Sequence, residues 1–466
     1  MGNCLASCCH PEVAYYISHS RPVAILQSLN SNLLGVLPSI EEEIMGAGGV
    51  EGLYNNIITG KIDFSTCSTE KIYAYFGVIG IYYGVDSVEY KNVNENIIKY
   101  SSVDAFWLHT ALQGMVAKLN APPTYYGKYD DSLTMVIPDN VTILFIADFA
   151  TGLERSDRVL SEAKRLYPDI SVIVHGGDTY YSGTKEEQEN NLLKPLRKYF
   201  PGSLYRCIRG NHDIYSGNEG FDYLLNAVGQ SASYFSLTNK SLLIQGMDTT
   251  MFDTDPILEG KTMTQLMDDE AKWHVTNINE AKWQGKTTIA FSHHEPLTYN
   301  DSVGENEDGS HPPVNKKLYN QMRECYPSLD AYFFGHQHNF MLYQDYKFRT
   351  GEVLKKPRLI GHGGCSSISQ PLAELYVPSK YDTSLFDIPS LIPSPDWRLG
   401  TNGTVIDTGF CVLTCKDGVV KASYYNIHSA ILGQFLDAKL VYEEIISVAV
   451  PTAPSASTAP NSPTSA

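Results

Sequence analysis

The chain has 466 residues, of which 43% are hydrophobic, 19% charged and 11% aromatic. That balance excludes global disorder and collagen-like repeats, and the length exceeds the ~150 residues of one ordinary core. With 35 Lys and Arg against 52 Asp and Glu the formal charge is −17. No nucleic-acid partner is expected, because phosphate neutralisation needs a basic face. No stretch reaches the ~18 apolar residues of a membrane span. The longest mostly apolar stretch, Tyr73 to Val85, is expected to form a buried strand or helix. Nine Cys spread over the chain do not make a disulfide framework and suit a reducing compartment. Cys411 and Cys415, four apart, should share one buried strand face.

The chain opens Met1-Gly2-Asn3-Cys4-Leu5-Ala6-Ser7-Cys8-Cys9, with no basic start and no apolar run of a secretory signal. Gly2 behind a removable Met is an acceptor position for N-myristoylation, although the usual Ser/Thr at the sixth residue is Ala6. One myristoyl chain binds membranes only marginally, so a second signal is needed, and palmitoylation of Cys4, Cys8 or Cys9 would supply it. Residues 1–12 therefore read as an acylated anchor, which implies a cytoplasmic protein tethered to the cytosolic face of a membrane. The bland alternative is three unmodified thiols.

Residues 13–136 form an accessory region, mainly helical, with no readable motif. Ser39 followed by Glu41-Glu42-Glu43 predicts a helix start, broken at Gly46 to Gly49. Pro122-Pro123 and Pro138-Asp139 punctuate its junction with the next region.

From Val141 the pattern changes. Five apolar runs each end in a polar loop: Val141–Ala147 at Asp148, Ser171–Val174 at His175-Gly176-Gly177-Asp178, Leu204–Ile208 at Gly210-Asn211-His212-Asp213, Thr287–Ser292 at His293-His294, and Ala331–Phe334 at Gly335-His336-Gln337-His338. Helices are predicted between them at Leu153–Tyr167, Lys185–Tyr199, Thr264–Asn279 and Val314–Cys325. Strands alternating with helices deliver ligands from their carboxyl ends. Each motif alone is weak, since Gly-Asp is often a turn and a His pair is often surface. Five in order are not coincidence. Residues 137–430 are one domain, 431–450 a C-terminal extension, and the Pro/Ser/Thr/Ala tail 451–466 cannot bury a core and should be disordered.

This ordered set resembles the calcineurin-like metallophosphoesterase superfamily over residues 140 to 430. The resemblance implies an α/β (α+β) fold, a two-sheet β-sandwich flanked by helices, with two metal ions (Fe, Mn or Zn) at the strand ends. Hard oxygen and imidazole donors suit such ions. It further implies that the first metal takes Asp148, Asp178 and His338, and the second takes Asp178, Asn211, His336 and one of His293 or His294. His293 stands directly after its strand, and His294 has the His-x-Pro spacing to Pro296. A metal-bridging hydroxide would attack phosphorus, His212 would assist the leaving group, and Asp213 would orient His212.

The family's first motif is usually Asp-x-His, but here it reads Asp148-Phe149-Ala150, and Ala binds no metal. The purple acid phosphatase branch also lacks this His and uses the Tyr of Gly-Asp-x-x-Tyr. Tyr181 stands at that spacing, and a phenolate would favour Fe(III) at the first site. The alternative is that Tyr180 and Tyr181 are loop aromatics.

The remaining candidates read as structural. His175 should be a packed strand end and His362 a turn residue; Asp248 is not assigned as a ligand. Arg209 reads equally as a phosphate contact or an ion-pair partner. The sequence thus points to dinuclear-metal-dependent hydrolysis of phosphate esters, with monoesters favoured through the purple-phosphatase-like first site. The alternatives are a phosphodiesterase acting on nucleotides or lipid headgroups, and a catalytically weak metal-binding scaffold. The protein-phosphatase motif Gly-Asp-x-x-Asp-Arg-Gly is absent, since Thr179-Tyr180-Tyr181 come directly after Asp178.

Overall fold

The computed structural model describes residues 39–62, 67–84, 86–95, 99–100, 104, 106–120, 124–254, 262–299, 303–365, 381–393, 407–431 and 434–448. The acylation candidates Gly2, Cys4, Cys8 and Cys9 and the tail 451–466 lie outside the described residues.

In chain order the strands of the two large sheets are β1 Thr134–Val136, β2 Val141–Ile146, β3 Val172–His175, β4 Leu204–Cys207, β5 Phe235–Thr238, β6 Leu242–Met247, β7 Thr287–Ser292, β8 Ala331–Phe334, β9 Phe340–Leu342, β10 Pro357–Ile360, β11 Thr408–Lys416, β12 Val419–Ile427 and β13 Lys439–Val448. A seven-stranded sheet runs β1-β5-β6-β7-β8-β10-β9, and a six-stranded sheet runs β13-β12-β11-β2-β3-β4. Within them β2-β3-β4 and β6-β7-β8-β10 are parallel. The α/β sandwich implied by the sequence is therefore present.

Why β2 reads as an unbroken apolar run is visible in its surroundings. Ile143 and Phe145 face the seven-stranded sheet, where Phe145 packs on Phe291 and Phe333 at ring separations of 4.9 and 5.2 Å. Leu144 and Ile146 face the other way, into a second core with Val159, Leu160, Leu192, Leu196 and Phe221 from the covering helices. A parallel strand covered on both faces has no polar side to alternate with. Cys411 and Cys415 are both buried on the inner face of β11, as their spacing predicts.

Helices Glu154–Leu166 and Lys316–Met322 fall inside their predicted stretches. The predicted Lys185–Tyr199 helix contains a π-helical stretch, Gln188–Leu193, between Lys185–Glu187 and Lys194–Tyr199. The predicted Thr264–Asn279 helix runs instead from Asp268 to Trp283. Asp268, Asp269 and Glu270 complement the positive end of that helix, which explains the later start.

The N-terminal region is helical, with Val50–Ile58, Thr69–Tyr83, Val88–Val93 and Trp107–Asn120. The Tyr73 to Val85 stretch lies largely in the second of these, whose cap Ser68 accepts from the Lys71 amide. Leu53, Ile57, Ile72, Tyr75, Ile79 and Val93 make a separate small core. Among the described residues no helix is long and apolar enough to cross a membrane.

The C-terminal part of the chain adds a strand to the six-stranded sheet. Residues 431–450, read from sequence as an extension, supply β13, which pairs with β12 from Val448 opposite Val419 to Lys439 opposite Asn426. Glu444 on β13 accepts from Arg358 Nε at 2.7 Å and Nη2 at 2.8 Å, and from Tyr424 Oη at 2.8 Å. Arg358 is only 2% exposed and lies on β10, in the other sheet. The strand went unread because its outer face is polar and its burial is partial.

A chain truncated after residue 437 is expected to lose at least about 3 kcal/mol of stability, since it leaves the Arg358 cation buried without its carboxylate. Urea denaturation of the truncated and full chains would check this, and equal midpoints would contradict it.

Candidate metal centre

The parallel strands aim five loops at one place. Asp148 follows β2, Asp178 follows β3, Asn211 follows β4, His293 follows β7 and His336 follows β8. Six non-glycine residues among those described have positive φ, and Asp148 at 54°, Asp178 at 72° and His336 at 69° are three of them. Left-handed backbone costs a non-glycine residue on the order of 1–3 kcal/mol and persists where the surroundings over-determine it. Here it turns each side chain back over the strand end that carries it.

Two glycines make the convergence sterically possible. A Cβ on Gly210 would sit 2.1 Å from Asp178 Oδ1, and one on Gly335 would sit 2.6 Å from Asp148 Oδ2. The loops approach within the volume that any other residue would fill.

Beside Asp178 Oδ1 the polar side chains of three other loops come together. His293 donates from Nδ1 to the Gly176 carbonyl at 2.8 Å, which leaves Nε2 as a lone pair. That lone pair lies 3.0 Å from Asn211 Oδ1 and 3.3 Å from Asp178 Oδ1. Asn211 is oriented by its amide, which donates to Tyr215 Oη at 2.5 Å, so its oxygen faces inward. His336 Nδ1 stands 3.1 Å from the same Asn211 oxygen. Burial lowers His293 to about 3 and His336 well below its ordinary value. The His293 lone pair, set against the Asn211 and Asp178 oxygens with no hydrogen between them, fits a cation.

A second group lies on the other side of the Asp178 carboxylate. Tyr180 Oη is 2.9 Å from Asp178 Oδ2, 3.4 Å from Asp148 Oδ1 and 2.7 Å from His338 Nε2. His338 Nε2 is 3.6 Å from Asp148 Oδ1. Asp148 is anchored by the His336 amide, which donates to its Oδ2 at 3.0 Å. Burial, with Asp178 facing it, pushes Asp148 well above the usual carboxylate range. Burial would push Asp178 the same way, but the imidazoles of His293, His212, His336 and His338 outweigh it and hold Asp178 low. Two facing buried carboxylates are compatible with full ionisation only beside added positive charge. Ligand atoms of Asp148, Asp178 and His293 lie within 4.8 Å of one another, as do those of His293, His294 and His336. The donor set of carboxylate, amide oxygen, imidazole and phenol matches Fe, Mn or Zn.

Two sequence expectations change here. Tyr181, expected as the phenol ligand, points away: its hydroxyl donates to Asp104 Oδ2 at 2.7 Å. Tyr180 occupies the place instead, because the turn after Asp178 faces its first tyrosine inward. Asp213 does not orient His212. Its carboxylate accepts from the amides of Asp178 and Gly210 at 2.9 and 2.8 Å and from Gln188 Nε2 at 2.8 Å, so it ties the β3 and β4 loops together. His212 is instead oriented by the Tyr181 carbonyl, which accepts from its Nδ1 at 2.7 Å, leaving Nε2 3.8 Å from Asp178 Oδ2. Of the His293/His294 pair, His293 has its Nε2 on the cluster. Both nitrogens of His294 have protein partners, Thr249 Oγ1 at 2.9 Å and Asp253 Oδ2 at 3.2 Å. Although burial opposes it, the Asp253 contact holds His294 above its ordinary pKa.

The residues read as structural behave so. His175 is buried beside Phe149, and burial lowers it to about 4. His362 stacks on Phe340 and contacts Asn426 Oδ1 at 3.2 Å. Arg209 is an ion-pair residue: Nε donates to Asp248 Oδ2 at 2.8 Å, and Nη1 to Asn218 Oδ1 and the Thr124 carbonyl at 3.1 and 3.2 Å. Sequence reasoning missed Tyr180, although it was one residue from the position chosen. It also missed Asp104 and Trp107, whose ring lies 5.2 Å from that of His212.

A model of the calcineurin-like phosphoesterase family matches residues 141–340. No curated protein matches the chain by sequence. Among solved structures, GAP50, the anchor in the inner membrane complex of Plasmodium, is 13% identical, with a TM-score of 0.43 over 66% of this chain and 89% of that one. The purple acid phosphatase PPD1 from yellow lupin seeds is 15% identical, with a TM-score of 0.39 over 65% of this chain and 54% of that one. A dimetal phosphatase from Danio rerio is 10% identical, with a TM-score of 0.38 over 65% and 98%. Likenesses this weak carry no functional weight.

Replacing Arg209 by Ala strands the Asp248 carboxylate, which is 1% exposed. The loss is expected to be about 3–5 kcal/mol. Chemical denaturation would measure it, and a loss below about 1 kcal/mol, the worth of a surface pair, would contradict the buried ion-pair reading.

Proposed function

Because residues 141–340 belong to the calcineurin-like phosphoesterase family of metal-dependent phosphoric ester hydrolases, we propose that this protein hydrolyses phosphate monoesters at a dinuclear metal centre. The observation that carries the reading is that the His293 lone pair lies against both Asn211 Oδ1 and Asp178 Oδ1, with His336 Nδ1 on the same Asn211 oxygen. Asp178, Asn211, His293 and His336 would hold one ion; Asp148, Asp178, His338 and Tyr180 would hold the other. Bound there, two ions would supply Lewis-acid polarisation of the phosphoryl oxygens and a nucleophile at neutral pH.

The chain's own residues divide the remaining work. Asn211 is locked by Tyr215 and His293 by Gly176, so neither reorganises on binding. His212 is held by its Nδ1 on the Tyr181 carbonyl, so Nε2 is the atom left to carry a proton toward a leaving oxygen. His294 stands beside His336, with ring centres 4.5 Å apart, and is held by Asp253 and Thr249. The phenol of Tyr180 beside Asp178 and Asp148, where the sequence lacks the usual His at Ala150, supports the monoester preference.

For the N-terminus we propose acylation at Gly2 and at one or more of Cys4, Cys8 and Cys9, which would tether the enzyme to a membrane surface on the cytosolic side. The support is the coincidence of an acceptor glycine with a cysteine cluster.

The metal-loaded full chain should cleave p-nitrophenyl phosphate faster than bis(p-nitrophenyl) phosphate. Asp178→Asn should lose bound metal and at least about 10³-fold in kcat, while His212→Ala should keep its metal and lose about 10²-fold or more. Faster diester cleavage would favour the phosphodiesterase alternative, and a folded, metal-loaded but inactive chain would favour the scaffold. Mass spectrometry of the N-terminal peptide from cells should find Gly2 acylated; an unmodified Gly2 would remove the tether.

A further inference from the structure

The residue cast above as the leaving-group histidine is not held by its own domain alone. His212 is only 2% exposed, and part of its cover comes from the N-terminal region, far away in sequence. The Trp107 ring lies 5.2 Å from the His212 ring on one side, while Tyr180 and Tyr215 pack against it at 4.5 and 4.8 Å. Its only ring hydrogen bond among the described residues runs to the Tyr181 carbonyl.

Tyr181 is in turn fixed from the N-terminal side. Its hydroxyl donates to Asp104 Oδ2 at 2.7 Å, and its ring meets those of Tyr100, Phe106 and Trp107 at 4.4, 4.5 and 5.2 Å. Asp104 is itself placed by two amides, Tyr100 to Oδ2 and Phe106 to Oδ1, both at 2.9 Å. It therefore organises the entry to helix Trp107–Asn120 and grips Tyr181 with one carboxylate. Next along the loop, Ser182 Oγ donates to Gln113 Oε1 of that helix at 2.6 Å. At the other end Tyr100 Oη donates to the Thr151 carbonyl, just past Asp148, at 2.7 Å.

We propose that Asp104 and Trp107 of the N-terminal region are positioning residues for His212: Asp104 sets the carbonyl that receives its Nδ1–H, and Trp107 closes the face through which the ring would swing. The N-terminal region is then a working part of the hydrolase site. This inference rests on the role given to His212 above. An imidazole with one hydrogen bond and loose walls samples several rotamers, and proton delivery to a leaving oxygen tolerates little misplacement.

The test uses the full chain, loaded with metal, carrying Trp107→Ala, Trp107→Phe or Asp104→Asn, with His212→Ala as reference. Two substrates differ only in leaving group, p-nitrophenyl phosphate and phenyl phosphate. Help to the leaving oxygen matters most where that oxygen leaves poorly, so Trp107→Ala and Asp104→Asn should lose about 10-fold in kcat on phenyl phosphate and under about threefold on p-nitrophenyl phosphate, with KM little changed. Trp107→Phe should restore most of the loss. A second readout needs no activity: carbethoxylation of His212 by diethyl pyrocarbonate, read by peptide mass spectrometry, should be slow in the parent chain and severalfold faster in Trp107→Ala and Asp104→Asn. Equal losses on both substrates together with unchanged modification would overturn the proposal. If His212→Ala itself shows no leaving-group dependence, the role of His212 fails. The modification rates then decide the positioning claim, faster supporting it and unchanged rejecting it.

Discussion

The arrangement depends on the Asp178 carboxylate, which is buried, faced by a second carboxylate and ringed by imidazoles. Such a group is costly unless positive charge meets it. The surrounding fold is organised to bring partners to its two oxygens. Oδ1 faces His293 and receives the His212 amide at 3.1 Å, and Oδ2 faces the Tyr180 phenol. Neither sheet could do this alone. The six-stranded sheet carries Asp148, Asp178 and Asn211, and the seven-stranded sheet carries His293 and His336. The large core between them therefore does more than stabilise the chain, because its packing distance sets the separation of the two half-sites.

The loops are held as firmly as the strands. Asp213 bonds the backbone of the β3 and β4 loops together, and the Arg209–Asp248 pair ties the β4 loop to the end of β6. Thr250 Oγ1 donates back to the Arg209 carbonyl at 2.9 Å, which closes that link. These buried polar groups are satisfied by one another rather than by solvent. A site held this way is organised before any ligand arrives, which is where electrostatic catalysis gains most.

Much of this was legible in the sequence because strand ends are local. An apolar run that stops at Asp148 or at Gly210-Asn211-His212-Asp213 states both a strand and what it delivers, and β2, β7 and β8 lie where those runs place them. What the sequence concealed depended on direction or on distant partners. Whether Tyr180 or Tyr181 faces the centre turns on the path of one loop, and counting residues chose the wrong one of two adjacent phenols. Asp213 beside His212 suggested an orienting pair, yet the backbone turns its carboxylate to three donors on other loops. Strand β13 was missed because a half-exposed edge carries a mixed pattern that propensity cannot separate from a loop.

The loop Asp178 to Ser182 shows how a few residues join two parts of the chain. Asp178 and Tyr180 look into the candidate centre, while Tyr181 and Ser182 look outward to Asp104 and Gln113. Side chains on opposite sides of one short loop cannot move independently, so any shift of the outer pair is passed to the inner pair through backbone that is itself packed. The outer partners come from a region whose own small core is separate from the sandwich. That region meets the loop through a small cluster of Tyr100, Leu153, Tyr180, Tyr181 and Cys365 with Trp107 packed on it, and through single hydrogen bonds. Such a contact is weaker than the sandwich and is the place where the geometry around His212 is most easily altered. The N-terminal region, which carries no readable motif, thus meets the legible part of the chain beside His212.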